Sequence, residues 1–395
     1  MRIESEIVSA IQSRDFEKAK SLLQGGEKIS KEVISQPNFT LPFSQVIKAK
    51  EFEIIDLWVA DKTIETDIYE YDSFRNTIFE TITRELPADE ESITWLSGFL
   101  GKMDNLNDEI GDVTLLSYAL ENGADVKVIQ CLIDAGCDVN YTNNAEQSLL
   151  YEVVNKRMMA PEKAIAYMEV LIDAGLDVNK ANVVRETPLM VAINNNKVDY
   201  LDLLLENGAD ANVQDEKGKT AFTRAVIDQS SEKIYDKLAA YTTPDFDQVD
   251  ESGNTLLSSY LSRLSNNSYI SFLPKLLEAG ADINQKAPHY DQQKSGLDWL
   301  AEKSFETLEI ALETGKIEVN EPDDLGETIL HKVCGYNSVL DEQKAKDIYK
   351  KVKLLIGAGA DVNLVNSNEE TPLMLASNNN IKIKTVQLLM SNSAK

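Results

Sequence analysis

The sequence predicts an all-α fold, a solenoid of stacked helix-turn-helix repeats with short projecting loops. Two recurring signatures and one periodicity predict it. The pattern Gly-x-Asp-[Val/Ile/Ala]-Asn appears as GCDVN (136–140), GLDVN (175–179), GADAN (208–212), GADIN (280–284) and GADVN (359–363). A stretched copy, GKIEVN, ends at Asn320 and a worn one, PDFDQ, ends at Gln248, so successive copies end 33 to 43 residues apart. The second signature reads TPLMVA at 187–192, TPLMLA at 371–376, TILH at 328–331, and TLLS at 114–117 and 255–258. Asp-x-x-Gly-x-Thr introduces several of these: DEKGKT (215–220), DESGNT (250–255) and DDLGET (323–328). A period of this size marks a unit that cannot bury its apolar face alone and stacks on its neighbours.

Each element follows from its residues. Thr187 and Thr371 stand where a hydroxyl caps free helix N–H groups, and Pro188 and Pro372 follow where a missing donor costs nothing. Leu189 and Leu373 point to the core, and Ala192 and Ala376 leave room for the next repeat's helix. Apolar residues at i, i+3, i+4 mark the second helix: Ile129/Leu132/Ile133, Leu201/Leu204/Leu205, Leu273/Leu276/Leu277 and Val352/Leu355/Ile356. Each stripe stops before a glycine that ends the helix in the left-handed conformation. Asp and Asn then bond the backbone locally and turn the chain into a loop.

Eight units result: 107–140, 141–179, 180–212, 213–248, 249–284, 285–320, 321–363 and 364–395. Residues 1–106 show a similar but weaker rhythm in 11–26, 40–60, 73–82 and 93–103, read as degenerate repeats or as a helical N-terminal cap. Two units run long, at KRMMAPEKAIAY (156–167) and DEQKAKDIYKKVK (341–353). Both insert between the two helices, as binding loops or as tolerated surface extensions.

The two signatures together resemble the ankyrin repeat over about 107–395, with a degenerate match in 1–106. The resemblance implies a right-curved ankyrin-type solenoid that binds proteins through its loop tips and carries no catalytic residue. It assigns His331 to a bridge between neighbouring loops, a place taken by Met190 and Met374 in the two best Thr-Pro-Leu units, where the link must be apolar. On the same resemblance, the contact candidates are loop-tip residues that the fold does not require. These are Tyr141, Asn144, Lys180, Arg185, Gln214, Glu216, Glu251, His289, Tyr290, Asp324, Asn366 and Glu369. Tyr141, Arg185 and Tyr290 lead as aromatic or guanidinium anchors. Arg185 and Glu369 stand where the motif wants glycine.

Composition removes several chemistries. Two histidines and three cysteines show no C-x-x-C or H-x-x-x-H spacing, so no metal site is expected. Cys131 lies on a helical stripe and Cys137 fills a slot that is alanine in three other copies; neither has a histidine nearby, so both read as small buried residues. DVN, DAN and DIN lack the calcium-loop pattern, and no phosphate-cradling glycine loop exists, so no cofactor is expected. The N-terminus lacks the apolar stretch of a signal peptide, no apolar run is long enough to span a membrane, and three cysteines make no disulfide framework. A cytoplasmic protein, monomeric by itself, is expected. A formal charge of −27 makes nucleic acid and anionic membranes poor partners and a basic or mixed-charge protein a good one. The function expected is an acidic, non-enzymatic inhibitor, immunity protein or carrier. The alternative is a multi-partner adaptor or host-directed effector scaffold.

Overall fold

The computed structural model describes residues 5–30, 33, 40–264, 269–337 and 341–393. Its contacts divide the chain into two units, Met1–Asp210 and Ala211–Lys395.

The first unit holds α1 (Glu6–Gln12), α2 (Phe16–Gln24), α3 (Thr40–Ala49), α4 (Phe52–Ala60), α5 (Ile78–Glu85), α6 (Glu90–Leu100), α7 (Leu115–Asn122), α8 (Val126–Asp134), α9 (Leu149–Asn155), α10 (Pro161–Asp173), α11 (Pro188–Asn194) and α12 (Val198–Glu206). The second holds α13 (Ala221–Thr223), continued by one π-helical stretch over Arg224–Asp228, then α14 (Glu232–Ala239), α15 (Leu256–Arg263), α16 (Phe272–Glu278), α17 (Gly296–Glu302), α18 (Phe305–Glu313), α19 (Ile329–Gly335), α20 (Glu342–Gly357), α21 (Pro372–Ser377) and α22 (Ile383–Ser393). Within each unit the chain is an all-α ankyrin solenoid. First helices stack on first helices, as α7 on α9 and α17 on α19, and second helices on second, as α10 on α12 and α18 on α20. Among the described residues one hairpin departs from all-helix: Ala287–His289 (β1) pairs antiparallel with Gln292–Lys294 (β2) in place of a loop.

The threonine caps form as the sequence requires. Thr114, Thr187, Thr255 and Thr371 each accept the N–H three residues on, and Ser148 and Ser295 do the same in units without threonine. Gly136, Gly175, Gly208, Gly280 and Gly359 all have φ between 86° and 110° and end their helices. Ala192 and Ala376 are fully buried against their neighbours.

The Gly-x-Asp-x-Asn turn differs from the local reading in an instructive way. Its aspartate does act locally: Asp138 accepts from Asn140 N at 2.8 Å and Asp361 from Asn363 N at 2.8 Å. Its asparagine instead reaches the next turn. The Asn179 amide donates to Gly208 O at 2.9 Å while its oxygen accepts Asp210 N at 2.8 Å. Asn320 repeats both bonds on Gly359 O and Asp361 N, and Asn107 does so on Gly136 O and Asp138 N. Asn212 bonds Thr243 O and Asp245 N in the same way, which shifts the worn copy by one residue: Asp245, not Phe246, fills the aspartate slot. Only a primary amide offers donor and acceptor side by side for such a double bond.

A second link was hidden in the lysines. First helices α9, α15, α17 and α19 end in extended residues rather than left-handed glycine, leaving their last carbonyls without local partners. A lysine from the following repeat supplies the missing donors. Lys197 donates to Val154 O and Lys156 O at 2.8 and 2.7 Å, and Lys382 to Cys334 O and Tyr336 O at 2.7 and 2.6 Å. Lys303 bonds Leu264 O at 2.7 Å; Lys351 bonds Ala301 O at 2.9 Å and also Lys303 O. Burial pushes all four ammonium groups below the usual lysine range, because desolvation penalises the charge.

The two long units resolve as longer second helices. Thirteen residues form α10 and sixteen form α20, the latter capped by Asp341. Lys344–Lys353 is therefore not one solvated face, since Lys351 is turned inward with its ammonium 3.1 Å from Asp347. Replacing it with methionine keeps the stem and orphans two buried carbonyls, so Lys351→Met should lose about 1–3 kcal/mol. The neighbouring exposed Lys350→Met should stay within about 0.5 kcal/mol, both read from urea unfolding.

Candidate interaction surface

Six loop tips among the described residues are each built on one side-chain oxygen. Asp215 Oδ1 accepts from Lys217 N and Lys219 N at 2.9 Å each, and Asp250 Oδ1 from Ser252 N and Asn254 N at 2.8 and 2.9 Å. Asp323, Asn143, Asn182 and Asn366 do likewise. Three residues after this anchor the backbone is left-handed in every tip: Glu146 (φ 56°), Arg185 (59°), Gly218 (73°), Gly253 (80°), Gly326 (70°) and Glu369 (61°). Glycine is required where the next tip presses close. A Cβ on Gly218 would lie 2.7 Å from Asp250 Cα, and one on Gly326 3.0 Å from Ser367 N. Backbone bonds join tip to tip: Val183 N to Ala145 O at 3.1 Å, Glu251 N to Lys217 O at 3.0 Å, and Ser367 N to Leu325 O at 2.9 Å.

This framework sorts the twelve candidates. Asn144, Lys180, Arg185, Glu216, Glu251, Tyr290, Asp324 and Glu369 are exposed. Asp324 lies 3.0 Å from Lys286, an exposed ion pair that holds its side chain only weakly. Three candidates are corrected to scaffold. Tyr141 is buried and its hydroxyl donates to Asp112 O at 2.9 Å. Gln214 is half-buried, its amide donating to both Gly218 O and Val249 O. Asn366 is buried because it is the tip's anchor. Their polar atoms are spent on the backbone of their own or neighbouring turns. His289 is half-buried in the hairpin, its ring 4.6 Å from that of Trp299, while Tyr290 projects from the turn 94% exposed.

The sequence reading missed four apolar tip residues, Val183, Val184, Leu325 and Val365, all exposed. Their signal was present: Val183, Val184 and Leu325 stand between anchor and left-handed residue, where polar residues are usual. His331 takes its expected bridging place, with Nδ1 on Thr328 and Nε2 3.1 Å from Leu364 O. Met190 is buried, whereas Met374 is exposed.

No group of three or more His, Cys, Asp or Glu suited to a metal occurs among the described residues, and no helix there is long and apolar enough to cross a membrane. All three cysteines are buried free thiols. Burial raises each, Cys137 and Cys334 to about 12, so the reactive thiolate is scarce near neutrality.

Stacked helix pairs with an αL-tipped loop between repeats together define a repeat scaffold. The family model described as ankyrin repeats (3 copies) matches residues 116–215, 157–250 and 189–287, so over that stretch the chain carries ankyrin repeats. Among solved structures it is similar to one titled "Crystal structure of the ankyrin repeat domain of Bcl-3: a unique member of the IkappaB protein family". That match has 23% identity and a TM-score of 0.46, covering 60% of this chain and 96% of that one.

The thiols give a direct check on this description. Ellman's reagent at mildly alkaline pH should label none of Cys131, Cys137 and Cys334 in the folded chain and all of them in urea; rapid labelling of the folded chain would contradict their burial.

Proposed function

We propose that this chain is a non-enzymatic binding protein that holds a basic or mixed-charge protein partner on its loop tips, as an inhibitor, immunity protein or carrier. Acting as a cytoplasmic monomer is part of the same reading. The observation that carries it is backbone strain at Arg185 and Glu369. Both are held left-handed, which costs a side-chain-bearing residue roughly 1–2 kcal/mol. Both side chains are exposed, and among the described residues neither has a hydrogen bond or ion pair. Glycine would serve the fold better at either place, so the side chains are retained for something outside it. The net charge of −27 supports a partner with basic surface, and exposed Val183, Val184 and Tyr290 supply apolar anchors beside the charges.

The division at Asp210 favours a second reading, an adaptor whose two units hold different proteins, since each has its own exposed apolar tips: Val183 and Val184 in one, Tyr290 and Leu325 in the other. Tip variants separate the two: Arg185→Ala and Tyr290→Ala should lose the same captured protein if there is one partner, and different ones if there are two.

Arg185→Gly and Glu369→Gly should each raise stability by about 0.5–1 kcal/mol, the left-handed strain relieved less the entropy of glycine. The double variant should also lose the protein that the parent retains from a native lysate at moderate salt. Retention of nothing by the parent, or of the same protein by both, would overturn the reading.

A further inference from the structure

The second helices α18 and α20 leave between them an open trough of about 650 Å³. Phe305 and Leu312 line one side, and Lys350, Lys353, Leu354 and Gly357 the other. On α20 the outward positions 346, 350, 353 and 357 follow i, i+4, i+7, i+11, one helical stripe, and Lys346, Lys350 and Lys353 are all exposed on it.

What sets these lysines apart is their grouping on one stripe beside an apolar floor. Many other lysine ammonium groups sit on carboxylates, as Lys20, Lys50, Lys275 and Lys332 do, or on helix-end carbonyls, as Lys351 does one residue away. Among the described residues no carboxylate lies within ion-pair distance of Lys346, Lys350 or Lys353. The one partner recorded for the three is aromatic: the Lys350 ammonium stands 5.5 Å from the centre of the Phe305 ring. On α18, Glu309 falls between Phe305 and Leu312 in sequence but does not line the trough. The trough is thus an apolar floor with a cationic rim on a protein of net charge −27.

We propose that the trough between α18 and α20 docks an acidic segment of a partner protein, with carboxylates on Lys346, Lys350 and Lys353 and an apolar side chain against Phe305, Leu312 and Leu354. A cationic rim with no carboxylate of its own is complementary to acidic side chains, and the floor is complementary to a leucine or phenylalanine between them. Nucleic acid fits less well, because its phosphates offer nothing to the floor and the rest of the surface repels them. The lengthened α20 acquires a purpose: its added turn carries Lys346 and extends the rim. The surface shares no residue with the loop tips, so it stands whether or not the tips bind.

The test uses the full chain and fluorescence anisotropy at low salt. One labelled peptide alternates glutamate with leucine around a phenylalanine; a second has glutamine for each glutamate, and a third serine for each apolar residue. The first should bind, and the other two at least about tenfold more weakly, on the scale of one or two exposed charge pairs or one buried methylene pair. Lys350→Glu/Lys353→Glu should weaken the first peptide by a similar factor, while Lys233→Glu, an exposed lysine on α14, should leave it unchanged. Both lysines are exposed, and Lys350→Gln/Lys353→Gln with an unaltered circular dichroism spectrum guards against a folding defect. Equal binding of the three peptides, undiminished binding by the double variant, or displacement of the peptide by duplex DNA at lower concentration would each overturn the proposal.

Discussion

Everything in this chain depends on one repeat completing the hydrogen bonds that its neighbour leaves open. A helix end always strands carbonyls, and a loop always strands N–H groups. In an isolated repeat water would take them, and the helices of seven to nine residues are too short to persist alone. Stacking excludes that water, so stacking must also supply partners. It does so with two devices: an asparagine amide from turn to turn, and a lysine ammonium from one repeat to the helix end of the one before. Both are directional, so they set the register between repeats as well as holding them together. The ammonium also meets the negative end of a helix dipole, which offsets part of its desolvation.

These devices explain what was legible in the sequence and what was not. Thr187, Pro188, Gly136 and the apolar stripes act within a few residues of themselves, so their spacing states their role. Asn179 and Lys197 act 29 to 43 residues away, and nothing in their local context announces it. Asparagine recurs often enough to be noticed but was assigned the wrong range of action. The lysines do not recur at a fixed place: Lys303 lies just before its helix, Lys351 inside one, Lys382 in a short turn. A side chain long enough to reach from several positions leaves no fixed spacing to read. The hairpin at 287–294 was missed because its strands are three residues each and polar, with no alternation to betray them.

The same logic limits what could be said of the contact surface. A tip residue looked available when its identity varied from copy to copy. Tyr141 and Gln214 vary and are still committed, because the backbone they serve accepts a suitably placed polar atom, whereas Asn366 stands at the anchor place that is Asp or Asn in each of the six tips. Availability depends instead on whether the polar atoms are already satisfied, which only packing reveals. Arg185 and Glu369 pass that criterion, and they add a second one. Both carry the cost of a left-handed backbone at a residue with a Cβ, as Glu146 does at the equivalent place.

The criterion extends from polar atoms to charge. In a chain with 66 acidic and 39 basic residues, an unpaired lysine is harder to explain than an unpaired carboxylate, since carboxylates are in surplus everywhere. Helix α20 shows both outcomes on one element. Lys351 is drawn inward to helix-end carbonyls and Asp347, whereas Lys346, Lys350 and Lys353, on the opposite stripe, stay clear of every described carboxylate. Keeping three cations clear beside an apolar floor requires that neighbouring positions on α18 and α20 not present acids into it. The arrangement is a constraint on several residues at once, and a constraint of that kind is what a docking surface imposes.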